Sequence, residues 1–177
     1  MPYLKAATDH PFGAIPYGRV LSVGAYNKDA SGGAIYPGDF VIQETDGAIA
    51  IATTGSTQII GVAAEYSAAT TAKTDFLVYD ASDQEFAIQD DSDTTGLTEA
   101  SIALNANITV TTGDTTLLRS KHEIDSNTST TSNVLALKVM GLHPIEARNF
   151  ATTTAQQRTW IVKINTHFWS PWQQTGI

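Results

Sequence analysis

Short apolar runs, broken at close intervals by glycine, proline and aspartate, set the rhythm of this chain and predict strands. A run over residues 20–26 is followed by the breaks Gly32-Gly33 and Pro37-Gly38-Asp39. Runs over 40–44 and 48–52 then flank Asp46-Gly47, a dipeptide suited to a hairpin turn. Further strands are expected over 58–65, 75–80 and 85–89. Past the acidic stretch Asp90-Asp91-Ser92-Asp93-Thr94-Thr95-Gly96, more are expected over 108–111, 116–118, 121–125, 134–142 and 159–168, with polar residues 126–133 as an exposed turn. In Trp160-Ile161-Val162-Lys163-Ile164-Asn165-Thr166-His167-Phe168, strand periodicity places Trp160, Val162 and Ile164 on one face. Ile161, Lys163, Asn165 and His167 fall on the other. Helix is expected only as a turn or two near 98–105, which could equally pair as a strand, and near 154–158.

The pattern predicts an all-β fold: a small β-barrel, β-tulip or sandwich over 18–90, then a second β-rich half over 97–168, with the acidic stretch as the boundary. Residues 1–17 carry Pro2, Pro11 and Pro16 and isolated apolar groups without either periodicity, and are expected to form an extended arm. Residues 169–177 form a short aromatic tail. Tyr3, Leu4, Phe12 and Tyr17 in the arm, with Phe168, Trp169 and Trp172 near the tail, are the candidate interface residues, because a terminal segment has little of its own to bury aromatic rings against.

Composition narrows the chemistry. A formal charge of −8 and ten scattered basic residues argue against a nucleic-acid partner, which needs clustered cations to displace counterions. The absence of cysteine removes disulfides and thiolate chemistry. No run approaches the ~20 apolar residues of a membrane span, and the first residues lack the pattern of a secretory signal, so no membrane partner and synthesis in a cytoplasm are expected.

Catalytic and metal motifs are sparse. Nucleophile-elbow, Walker, Rossmann and H-E-x-x-H patterns are absent. His10, His122, His143 and His167 are widely spaced, with no pair at metal-ligand intervals. On a calcium-loop template Asp91, Asp93 and Thr95 take the first three ligand places, Gly96 the turn and Glu99 the ninth place. The twelfth falls on Ile102, where a bidentate carboxylate is required, so a solvated turn is expected and at most a loosely held cation. Asp80, Asp83 and Glu85 read as hairpin-turn residues. The sequons at Asn107 and Asn127 carry little information without a secretory signal. No catalytic residue, resident metal or cofactor is expected.

Tyr36-Pro37-Gly38-Asp39-Phe40-Val41, Ile59-Ile60-Gly61-Val62-Ala63, Leu137-Lys138-Val139-Met140-Gly141-Leu142 and the run from Trp160 to His167 together resemble head decoration, or cement, proteins of tailed phages. The resemblance implies a small β-barrel or β-tulip domain. It also implies a non-enzymatic protein on the outer surface of the virion that binds the major capsid protein, commonly as a homotrimer, and braces the shell. Two other readings compete with it. One is a fibre-like or glycan-binding adhesion module using Thr, Asn and Gln-rich loops and exposed aromatics; the other is a hydrolase built on the carboxylates between Asp80 and Asp93.

Overall fold

The computed structural model describes residues 9–91, 93, 96–144, 157–170 and 176. Eleven strands form among them: β1 (Ile15–Tyr17), β2 (Gly24–Lys28), β3 (Phe40–Gln43), β4 (Ile49–Ile51), β5 (Ile59–Ala63), β6 (Lys73–Tyr79), β7 (Glu85–Gln89), β8 (Asn105–Thr109), β9 (Glu123–Thr130), β10 (Leu137–Leu142) and β11 (Thr159–Ile164). The helical content of the described residues is one 3-10 turn, Glu99–Ser101. The all-β expectation holds.

The strands make two antiparallel sheets, a six-stranded one in the order β1-β7-β11-β10-β8-β9 and a five-stranded one in the order β2-β6-β5-β3-β4. Both curl, as right-handed strand twist favours. A single parallel bridge, Asn27 to Ala48, brings the edges of the smaller sheet together. Another, Asp90 to Ile124, brings the exit of β7 back to β9. These seams are isolated bridges and not ladders, so neither sheet is a closed barrel and the architecture is sandwich-like.

Two apolar clusters fill the structure. The larger lies between the sheets and takes Phe40, Ile59 and Val62 from the smaller sheet, and Phe86, Ile108, Leu137, Val139, Trp160 and Val162 from the larger. The smaller cluster lies in the curl of the five-stranded sheet and contains Val41, Ile49, Ile60, Ala63, Phe76 and Val78. Successive residues of β3 and β5 therefore serve different cores. That explains why Ile59–Ala63 is a continuous apolar run, buried at every position, instead of an alternating one. Gly61 is required there because a Cβ would lie 2.2 Å from the Tyr79 carbonyl oxygen and 2.7 Å from Val78 Cγ1. Gly61→Ala should cost about 1–3 kcal/mol by overpacking, read from the urea midpoint; an unchanged midpoint would show that β5 and β6 can separate without cost.

Several expectations are corrected. The larger core draws on residues from both sides of the acidic stretch, and β1 and β7 belong to the sheet formed mainly by the second half. The stretch is thus a seam within one core and does not separate two domains. Within the expected arm, Ile15, Pro16 and Tyr17 pair with Ala87, Phe86 and Glu85 of β7. Pro16 is tolerated because β1 is an edge strand. The turn Pro37-Gly38-Asp39 anchors the preceding residues through the Ala14 amide, which donates to the Gly38 carbonyl at 2.9 Å. The strand expected at 116–118 is a turn, because the Asp114 carboxylate accepts the amides of Thr116 and Leu117. The turn expected at 126–133 is strand as far as Thr130, since an edge strand can carry hydroxyl-bearing residues on its solvent side.

Candidate functional site

The end of β11 shows how the chain presents aromatic surface. The buried positions Trp160, Val162 and Ile164 follow the expected alternation, but Asn165 and His167 are buried too. Past Ile164 the backbone leaves the sheet. The Asn165 amide donates to Ala136, and its side-chain nitrogen donates to the carbonyls of Asn133 and Leu135. Ile59 then donates to Thr166 and receives the amide of Phe168, which ties this turn to the smaller sheet. His167 is 3 % exposed, burial holds its imidazole below the usual range, and its Nδ1 accepts the Trp169 amide at 3.1 Å.

Directly beyond this anchored turn, Phe168 and Trp169 come to the surface at 39 % and 58 % exposure. Their rings meet edge to face, with centroids 4.7 Å apart. The Trp169 side chain lies close to the Tyr26 hydroxyl, which itself donates to Asp80 Oδ2 at 2.8 Å. Burial and the Asp80 partner push the Tyr26 phenol up to about 12, so it remains a neutral donor across the physiological range. Trp169 thus stays largely exposed with the neutral Tyr26 phenol close by.

Of the other candidate interface residues, Phe12 and Tyr17 come together with Ile15, Ala87 and His143 around an open, mainly apolar hollow of about 320 Å³. The Tyr17 and His143 rings meet edge to face at 5.3 Å. Neither Phe168 nor Trp169 lines this hollow. Tyr3, Leu4 and Trp172 lie outside the described residues.

One constellation that sequence reading missed has the composition of a nucleophilic triad: Ser120, His122 and Asp39, all almost fully buried. Its geometry is that of a clasp. His122 Nδ1 accepts the Phe40 amide at 3.2 Å, and Nε2 faces Asp39 Oδ1 at 3.4 Å without making an aligned hydrogen bond. Asp39 Oδ2 accepts the Tyr36 amide, and the Ser120 hydroxyl accepts the His122 amide. Both ring nitrogens thus face groups other than the serine, so His122 is not placed to take its proton. Burial lowers His122 to about 4 and raises Asp39 to about 6. The three residues join the Pro37-Gly38-Asp39 turn to the lead-in of β9, a link that hydrogen bonding from Ser120 to the Pro37 carbonyl reinforces.

The carboxylates that a hydrolase would draw on are used differently. Asp80 holds Tyr26, and Glu85 approaches Lys163 at 4.0 Å. Asp90 is fully buried, accepts the amides of Arg158 and Leu97, and is raised by burial to about 6. Asp91 and Asp93 do come together, but with Asp125 of β9 and not with Glu99 as the linear template required. Thr95 lies outside the described residues.

No protein-family model, curated protein or solved structure matches this chain. Among the described residues, no helix is long and apolar enough to cross a membrane.

Proposed function

We propose that this chain is a non-enzymatic binding protein of the cement type, which attaches to the major capsid protein on the outside of a phage head and braces the joints between its subunits. The observation that carries the binding role is the exposed Phe168–Trp169 pair, anchored by backbone hydrogen bonds, with Tyr26 close to Trp169. A large aromatic surface held rigid before contact loses little side-chain freedom on binding, which suits it to anchor an interface. The capsid as partner rests on the sequence resemblance. An acidic protein with a hydroxyl-rich surface is compatible with the outside of a shell and ill suited to the nucleic acid within.

The test is co-sedimentation with purified, expanded, undecorated capsids, together with their disruption temperature. The wild type should bind saturably and raise that temperature, and Trp169→Ala should weaken binding by about tenfold or more, as expected of an anchor residue. Leu117→Ala, at an exposed position on the separate 114–119 turn, should leave it unchanged. Retained affinity in Trp169→Ala would move the anchor away from this pair. Absence of capsid binding by the wild type would overturn the cement role, and glycan-array binding in its place would select the adhesion module.

A further inference from the structure

We propose that the seam where the exit of β7 returns to β9 is a calcium site, with Asp91, Asp93 and Asp125 as carboxylate ligands and Glu123 and the Asn107 amide oxygen as further donors. One carboxylate oxygen from each of the three aspartates lies within 4.8 Å of the others. Asp91 and Asp93 come from the segment after β7, Asp125 and Glu123 from β9, and Asn107 from β8.

The ladder between β8 and β9 explains how these oxygens converge. Asn107 pairs with Asp125 and Thr109 with Glu123, so the four side chains share one face, while Ile108 and Ile124 between them point into the core. On that face the Thr109 hydroxyl donates to Asp91 Oδ2, which places Asp91 beside Glu123. Ser126 donates its amide and hydroxyl to Asp91 Oδ1, and its hydroxyl also bonds Asp93 Oδ1 at 3.0 Å. Asn127 contacts the other Asp93 oxygen. These donors orient the carboxylates and leave lone pairs for a cation, since each carboxylate oxygen can accept more than one bond.

Buried oxygens without hydrogen-bond partners distinguish this cluster from an ordinary acidic surface. Glu123 is 8 % exposed, and its Oε1 has no partner. Asn107 Oδ1 is likewise buried and unpartnered. Leaving such oxygens unmet is costly unless something absent from the protein's own hydrogen bonding meets them. The charges acting on Glu123 are those of Asp9, Asp91 and Asp90, and burial with this repulsion raises it to about 7. Burial and the charges of Asp91 and Asp93 raise Asp125 as well. The group Asp29, Glu44 and Asp46, half-buried at Asp29 and exposed at the other two, has comparable spacing, but none of its own oxygens is buried without a partner, and it is not assigned a role.

The donor set selects the ion. All five groups offer oxygen and none offers nitrogen or sulfur, which favours a hard cation over zinc or copper. Carboxylates and an amide drawn from three chain segments suit the larger, adaptable coordination shell of calcium better than the strict octahedron of magnesium. A bound ion would tie the end of β7 to β8 and β9, where the protein's own closure is the Asp90–Ile124 bridge and the Asp91 amide bond to the Ile124 carbonyl.

The experiment is calorimetric titration of the full chain, stripped with EDTA, using calcium chloride as probe, with melting temperatures taken in EDTA, in calcium and in potassium chloride of equal ionic strength. We expect one calcium per chain with a Kd of about 10⁻⁴–10⁻³ M or tighter, and a melting temperature raised by about 5–10 °C at a hundredfold excess over Kd. Asp125→Asn should weaken binding by at least about tenfold. Glu123→Gln provides the second variant, because it alters a group whose buried Oε1 has no hydrogen-bond partner to lose. It should be at least as stable as wild type in EDTA and gain less from calcium. No calcium heat up to about 10 mM, beyond the weakest sites of this kind, would overturn the site. So would a calcium gain undiminished in both variants, or one equalled by potassium chloride, since either would show general screening of the negative charge.

Discussion

Trp160→Ala should lower the stability of this protein by about 3–5 kcal/mol, the largest loss expected from truncating any one side chain of its core. Trp160 is fully buried at the start of β11, pairs across β7 with Ile88 and across β10 with Leu142, and lies in the cluster shared by both sheets. Truncation removes the apolar surface of the indole and leaves a cavity between two sheets, whose ladders restrain collapse into it. For a domain of this length the melting temperature should fall by about 10–15 °C, and the urea midpoint should fall with it at little change in slope. A loss below about 1 kcal/mol would contradict a single core spanning the sheets, because only a loosely filled interior could absorb so large a deletion. A transition split in two would instead show that the halves on either side of residue 90 unfold separately.

The same residue shows how far local pattern reaches. Alternation identifies Trp160, Val162 and Ile164 as inward-facing because that signal is local and repeats within one strand. The span of β7 is likewise legible from turn residues on either side. The alternation fails at Asn165 and His167, where hydrogen bonds to Ala136 and Ile59 bend the chain inward before Phe168 emerges. Those partners lie far off in sequence and follow no periodic rule.

Long-range pairing limits the reading of the site in the same way. Asp91 and Asp93 are visible as an acidic pair, but a linear template can search only the next few residues, and the third carboxylate stands on β9, where Ser126 reaches back to Asp91 across 35 positions. The edge strand β1 escapes notice because two of its three residues are proline and tyrosine in a proline-rich context, and its pairing with β7 is set by the sheet. The aromatic residues at the end of β11 are recognisable as candidates from their position near the tail. That Tyr26 lies close to Trp169 depends on where β2 falls in the fold, which composition does not encode.

Asp39→Asn and His122→Gln should move the stability–pH profile in opposite directions relative to wild type, each by about 3 kcal/mol between pH 7 and 4. Asp39 is raised by burial to about 6 from 3.8, so the folded state holds this proton more tightly than the unfolded chain. Its contribution is fully present below the unfolded value and is lost as the pH rises through about 6. His122 is lowered by burial to about 4 from 6.5, so its contribution is present above the unfolded value and is lost as the pH falls toward about 4. In the wild type the two opposing contributions largely cancel. Asp39→Asn keeps an acceptor for the Tyr36 amide but leaves only the histidine's contribution, so this variant should weaken on acidification relative to wild type. His122→Gln leaves only the carboxylate's, and should strengthen on acidification relative to wild type. Urea unfolding at several pH values measures both, and comparing each variant with wild type cancels titration of groups common to all three. The pH-independent cost of losing the imidazole's bond to Phe40 shifts one curve bodily without altering its slope. Parallel curves would mean that neither buried group keeps its perturbed protonation in solution, and that the clasp between the Asp39 turn and β9 admits enough water to solvate both charges.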